Sequence, residues 1–228
     1  LDWRFEFFSF ADMAKTLELQ NVCFDTLPPG AIEFSEIWLQ TLCFQKGEQV
    51  LVSAPSGKGK STFIGLLYGL RKDYTGDYFV DGAKAKSFSL SRWSNLRSRE
   101  MSIVFQDLRL FADYTGWENL AIKGKLEGSR FEKNEVFAMA EILGIEGILE
   151  KKAHTFSYGE KQRLAIVRSL LQPADFMVMD EPFSHLDQNN CRLALEMIQK
   201  EAMKNNAGLI ITSLGADYGR LYDRILLL

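Results

Sequence analysis

An α/β fold is predicted, with a mostly parallel core sheet, an antiparallel β part near the N-terminus and an inserted α-helical subdomain. Three observations predict it. Short apolar runs of strand length recur near residues 49–53, 102–105, 176–179, 208–213 and 224–228, and runs of that length bounded by turn residues suit buried strands of a parallel sheet. Helical periodicity fills the intervals between them. A Gly-rich loop also lies directly between a strand and a helix, and such loops sit at the carboxyl edge of parallel sheets.

In chain order, Leu1-Asp2-Trp3-Arg4-Phe5-Glu6-Phe7-Phe8-Ser9-Phe10 crowds aromatics ahead of Met13. The expectation is that Met13 is the natural start, so that residues 1–12 are an extension without a role in the fold and 13–228 form a single domain. The rival reading is an extra strand or a partner-binding arm. The segment lacks the basic start and small-residue cleavage site of a signal peptide. Ala14 to Asn21 reads as a strand, and Asp25 to Gly30 as a Pro-containing loop. The strand Gln49 to Val52 leads into Ala54-Pro55-Ser56-Gly57-Lys58-Gly59-Lys60-Ser61-Thr62 and an apolar helix through Phe63, Ile64, Leu66, Leu67 and Leu70. Tyr74-Thr75-Gly76-Asp77 and Val80-Asp81-Gly82 read as turns around short strands. From about 107 to 155 the pattern is helical, notably Asn134 to Leu143 with Gly144 as its stop. A turn carrying Ser157 and Gly159 then opens a helix from Glu160 to Gln172, which Pro173 ends. The strand Phe176 to Met179 follows and delivers Asp180 and Glu181 side by side.

Two of these segments carry chemistry. Gly57 and Gly59 permit a tight turn whose N–H groups point inward, and the helix start behind them adds partial positive charge, a cradle for phosphate. Lys60 is placed for the β- and γ-phosphates and the Ser61 hydroxyl for Mg²⁺. Neighbouring carboxylates at a strand end suit a metal and an attacking water. Taken alone, a Gly-Lys-Ser turn also fits an ordinary loop before a helix, and Asp-Glu-Pro a plain strand exit. Both together point to a nucleotide phosphate held between two surfaces.

With these residues in view, the chain resembles the nucleotide-binding domain of ATP-binding cassette (ABC) proteins, from about Leu17 to Leu228. The resemblance implies a P-loop NTPase fold. Ala54 to Thr62 is similar to the Walker A motif, with Ala54 where Gly is usual; a methyl is tolerated there if φ stays negative. Phe176 to Asp180 resembles Walker B, Glu181 matches the family's general base, and Gln106 its Q-loop glutamine. Ser157-Tyr158-Gly159-Glu160 looks like the signature, with Tyr158 in place of its first Gly and Glu160 where Gln is common. Ser184-His185-Leu186-Asp187 matches the D-loop. Two cassettes of the family pair head to tail, which implies ATP as ligand, Mg²⁺ on Ser61, Gln106 and Asp180, a homodimer, and Ser157 and Gly159 serving the neighbour's ATP. Residues 105–120 are similar to the branch of cell-division, lipoprotein-release and macrolide-export ATPases. That branch implies a membrane permease or mechanotransmission partner and a place on the inner face of the cell membrane. Leu108, Leu110, Phe111 and Trp117 are candidates for the docking groove, or else core of the helical subdomain, and Arg109 is a candidate contact.

Two positions depart from an efficient ATPase of this kind. The family's switch histidine falls on Ser213, and its adenine-stacking aromatic near Thr26, with Phe24 or Phe34 as alternatives. His185 is a candidate to replace the switch in part, against the plainer reading of an interface side chain. These departures motivate a second reading, a weakly hydrolysing regulatory or scaffold subunit. Net charge −3 over 228 residues, without a dense Lys/Arg block, argues against a nucleic-acid surface, and with it a soluble ATPase of DNA repair or translation. Lys151-Lys152 and Arg97/Arg99 read as solvated faces. Cys23, Cys43 and Cys191 lack metal spacing and suit a reducing cytoplasm. An apolar content of 46% is ordinary for a globular chain, and no apolar run approaches the roughly 20 residues needed to span a bilayer.

Overall fold

The computed structural model describes residues 15–124, 132–219 and 221–228. The expectations for residues 1–12 lie outside that range. Along the chain the strands are β1 (Thr16–Cys23), β2 (Thr41–Gln45), β3 (Gln49–Ser53), β4 (Thr75–Val80), β5 (Ala83–Lys84), β6 (Met101–Val104), β7 (Phe176–Met179), β8 (Gly208–Ser213) and β9 (Arg224–Leu227). The helices are α1 (Lys60–Leu67), α2 (Leu90–Asn95), α3 (Gly116–Gly124), α4 (Lys133–Ile142), α5 (Tyr158–Leu170) and α6 (Gln188–Lys204).

Five strands form the core sheet in the order β6-β7-β8-β3-β9, and every pairing in it is parallel. Side chains alternate across it, as the pleat dictates. Val50, Val52, Phe176, Val178 and Ile210 enter one apolar cluster with α1 and the N-terminal β part. Leu51, Met177, Met179, Leu209 and Ile211 enter the other, with α3, α4, α5 and α6. Both faces are covered, which is why these strands read as unbroken apolar runs. The second cluster joins Leu120, Val136 and Ala140 to Leu164 and Val167, so α5 completes the helical layer that the sequence places at about 107–155.

The antiparallel sheet has the order β2-β1-β4-β5. Here the reading of Tyr74 to Asp77 as a turn is corrected, because Thr75, Gly76 and Asp77 lie within β4. The β1–β4 register shifts between Gln20 and Cys23, at Asn21 with φ 51°. A Cβ on Gly76 (φ +73°) would stand 2.3 Å from the Asn21 carbonyl oxygen. The glycine therefore serves a β-bulge. Asp81-Gly82 is a turn, as expected.

Parallel pairing sends the carboxyl ends of the core strands to one edge. Gln106 follows β6, Asp180 and Glu181 follow β7, Ser213 ends β8, and the glycine loop follows β3. Since β7, β8 and β3 are neighbours, the loop and the acidic pair meet across one strand.

Candidate functional site

Gly57 and Gly59 hold φ of +79° and +101°, the left-handed conformation that lets the loop curl ahead of α1. A Cβ on Gly59 would reach the Leu27 side chain at 3.0 Å. Ala54 is absent from the positive-φ positions and is buried, so its methyl is accommodated. Its N–H donates to the Ser213 carbonyl (3.1 Å), which ties the loop to the end of β8. Lys60 turns back over the loop, donating to the carbonyls of Ala54 (2.8 Å) and Pro55 (2.9 Å), and its ammonium lies 3.2 Å from a Glu181 carboxylate oxygen. Both side chains of that ion pair are buried.

The Ser61 hydroxyl donates to the Gln106 amide oxygen (3.2 Å) and also engages Asp180. Burial pushes the Asp180 carboxyl above its ordinary range, and hydrogen bonds from Ser61 and Thr212 offset that only in part. Thr212 has a role the sequence reading missed. Its hydroxyl donates to Asp180 (2.9 Å) and accepts from the Glu181 N–H (3.0 Å), fixing both acids at once. Glu181 has φ 48°, a strained conformation for a residue with a side chain. Its carbonyl is held by the buried Gln162 amide (3.1 Å), whose oxygen accepts the His185 N–H (3.1 Å). Both residues carried a signal, since Thr212 is a polar residue at the end of the apolar run of β8 and Gln162 is a polar side chain on the apolar face of α5.

Lys60, Ser61, Gln106, Asp180 and Glu181 are thus brought together. The signature residues are placed elsewhere, at the start of α5. Ser157 and Glu160 form a capping box: the Glu160 N–H donates to the Ser157 hydroxyl oxygen, and the Glu160 carboxylate takes the Ser157 N–H (2.8 Å) and hydroxyl (2.7 Å). These bonds hold the Glu160 carboxyl below the usual range. Gly159 abuts the next loop, where a Cβ would lie 3.2 Å from the His185 carbonyl. Tyr158 sends its hydroxyl to the Gln106 carbonyl (2.9 Å). Asp187 caps α6, accepting the Asn190 N–H (2.9 Å), and the Asn190 contacts lower its carboxyl.

The departures resolve into particular geometry. Ser213 is fully buried, and its hydroxyl donates to the Ala216 carbonyl (2.7 Å) and accepts the Gly215 N–H (3.1 Å), so it closes a local turn. His185 lays its ring against Tyr158, centroids 4.2 Å apart. Phe24 is withdrawn as a base platform: it is core, edge-on to Trp38 with Arg71 over its ring. Thr26 accepts from Arg71 (3.0 Å), whereas Phe34 is 82% exposed in a cleft with Ala54, Pro55 and Lys58. Among the docking candidates, Leu108 is buried and Leu110 and Trp117 pack on the core, while Phe111 stacks with Tyr114 on the surface. Arg109 stands over Phe105 and pairs with Asp107.

The family model described as ABC transporter matches residues 40–184. The chain is 31% identical over 175 residues to the lipoprotein-releasing system ATP-binding protein LolD of Buchnera aphidicola subsp. Schizaphis graminum (strain Sg), covering 76% of each protein. It is 26% identical over 202 residues to the macrolide export ATP-binding/permease protein MacB of Shewanella sp. (strain ANA-3), covering 88% of this chain and 31% of that longer one. Among solved structures, dimeric MJ0796, a bacterial ABC transporter cassette, superposes with a TM-score of 0.79 at 22% identity, covering 93% of this chain and 94% of that one. A bacterial Atm1-family ABC exporter with ATP bound superposes with a TM-score of 0.76 at 26% identity, covering 95% of this chain and 37% of that one.

Proposed function

The chain belongs to the ABC transporter family, and from that premise we propose that it is the ATP-hydrolysing subunit of a membrane-bound transporter or mechanotransmission complex, working as a nucleotide-sandwich homodimer. The observation that carries the reading is the convergence of Lys60, Ser61, Gln106, Asp180 and Glu181 at one edge of the core sheet. The loop N–H groups and the α1 start bind the phosphates, and Lys60 holds the terminal ones. Glu181, at the strand end, orients a water toward the γ-phosphorus and takes its proton. The Ser61 hydroxyl, the Gln106 amide oxygen and the Asp180 carboxylate are hard oxygen donors fit to hold Mg²⁺, which when bound neutralises charge on the phosphate oxygens. Ser157 and Gly159 serve ATP on the neighbouring copy. The names of the relatives, a lipoprotein-releasing system and a macrolide exporter, support a membrane partner at the inner face of the membrane.

A second reading, a regulatory cassette that binds ATP with little turnover, is favoured by one observation: the Ser213 hydroxyl is committed to its own turn. Steady-state phosphate release with MgATP separates the two. Release by the parent about 10²-fold or more above the Glu181→Gln variant is expected for a working general base. Release no higher than that variant's would remove hydrolysis from the proposal and leave the second reading.

A further inference from the structure

We propose that Tyr158 is a positioning residue that couples a subunit's own ATP site to the signature it presents to its neighbour; the inference rests on the nucleotide-sandwich reading above. The family pattern has glycine at this position, so a side chain here creates contacts that the motif otherwise lacks.

Tyr158 is the first residue of α5, directly between Ser157 and Gly159. Its hydroxyl donates to the carbonyl of Gln106 (2.9 Å), and its ring packs on His185. The side chain of that same Gln106 receives the Ser61 hydroxyl (3.2 Å). Two hydrogen bonds therefore lead from the Walker A serine to the signature turn within one chain. A second arm reaches α5 from the acidic pair, through Gln162 to the Glu181 carbonyl and the His185 N–H. The first turn of α5 is thus held by the residue that receives Ser61, and the second turn, at Gln162, by the residue after Asp180. With glycine at 158 only the second arm would remain. A displacement of Gln106, whose side-chain amide oxygen shares Ser61 with Asp180, moves the backbone carbonyl to which Tyr158 is tied. The signature turn follows it, because Tyr158 precedes Gly159 with no intervening residue. The quantity that reports this coupling is a ratio of association constants.

Tyr158→Phe removes the hydroxyl and keeps the ring on His185. Two tagged populations of the chain, both carrying Glu181→Gln so that ATP persists, are paired and their association constant is measured by fluorescence energy transfer with and without saturating MgATP. The ratio of the two constants is the coupling. Tyr158→Phe in a chain with an intact Walker A loop is expected to lower the ratio roughly five-fold, the effect of one net hydrogen bond. Placed in a chain that also carries Lys60→Ala, opposite an intact partner, it is expected to change nothing further, since that chain's own site no longer reports through Gln106. An unchanged ratio in the first arrangement overturns the inference. So does an equal loss in both, which would mean that the hydroxyl acts directly on the neighbour's nucleotide. A parent chain whose association does not respond to MgATP overturns the sandwich reading and the inference with it. Melting temperatures of each variant accompany the measurement; if Tyr158→Phe does not fold, His185→Ala, which frees the ring and leaves the hydroxyl, is expected to lower the ratio less than five-fold, and no loss there overturns the inference.

Discussion

Asp180 is buried beside a second acid and beside Lys60, and burial dominates its titration. A carboxyl whose proton is held more tightly in the folded chain than in the unfolded one makes the folded state lose stability as pH rises from the ordinary aspartate range through the raised value. At neutral pH the ionised form carries that penalty in full. Asp180→Asn is therefore expected to melt at a higher temperature than the parent at pH 7 without MgATP, with the difference shrinking as pH falls toward 4. Thermal melts across that range check it, and a variant that melts lower at every pH would contradict the assigned cause. The proposed metal-holding role of Asp180 would thus come at a cost in stability, an arrangement common at functional sites. At the same scale lies what one sequence does not reveal. Ser213 shows that the switch histidine is missing, but its hydroxyl closing a turn on Ala216 is a matter of loop conformation. Phe24 and Phe34 are equivalent as letters, and only packing puts one in the core and leaves the other exposed.

Among the elements, α3 ends in a residue at odds with its surroundings. Lys123 lies in the last turn, where a cation suits the helix dipole, and donates to the buried Gln172 amide oxygen, yet it is largely desolvated and faces Arg168. Burial first, and the Arg168 charge second, pull its ammonium down to about 8 from an ordinary 10.5. Between those values the unfolded chain binds more protons than the folded one, so stability rises with pH through the interval. Lys123→Gln, which removes the charge and keeps a donor for the Gln172 oxygen, is expected to raise the melting temperature at pH 7 by about 2–4 °C, the effect of roughly 1 kcal/mol in a chain of this size. Its lead should narrow between pH 8 and 10.5, and a lead constant across pH would rule out the charge as its origin. The core strands and α1, α4 and α5 are legible in the sequence because apolar periodicity and caps are local signals. β4 is misread because Gly76 sits in a bulge, and a bulge glycine and a turn glycine look alike without the partner strand. Arg168 is illegible for a related reason. It donates to the carbonyls of Leu108 (2.6 Å) and Arg109 (2.8 Å), two consecutive left-handed residues about sixty positions away along the chain.

The described residues are organised around a core sheet with two unlike faces, one shared with the N-terminal β part and one with the helical layer. No described helix is long and apolar enough to cross a membrane. On the helical side the stacked pair Phe111 and Tyr114, 52% and 46% exposed, stands just beyond the Gln106 loop and is one of the apolar features that the fold leaves uncovered. Attachment of the proposed membrane partner at this pair would place its pull next to Gln106. The double variant Phe111→Ala, Tyr114→Ala is expected to lose co-sedimentation with membranes that carry the partner while phosphate release by the purified chain stays within about two-fold, since exposed substitutions seldom disturb a fold. Full retention on those membranes would show that docking lies elsewhere.

Lys60 and Glu181 form a buried pair at 3.2 Å, and this imposes an order of events. An arriving phosphate competes with the Glu181 carboxylate for one ammonium, so loading of the loop is an exchange of anions. On the proposed function, the acid that serves as general base would be let go by the arrival of its own substrate, and a site not yet loaded would keep it restrained. Glu181→Gln abolishes the competition, and the isolated cassette, diluted below pairing concentrations, is then expected to bind ATP roughly ten-fold more tightly than the parent, the scale of one charge-assisted contact. Titration with a fluorescent ATP analogue checks it, and equal affinities would mean that the carboxylate never guards the lysine. The restraint acts as a safety catch set by charge, and it requires no moving part larger than two side chains.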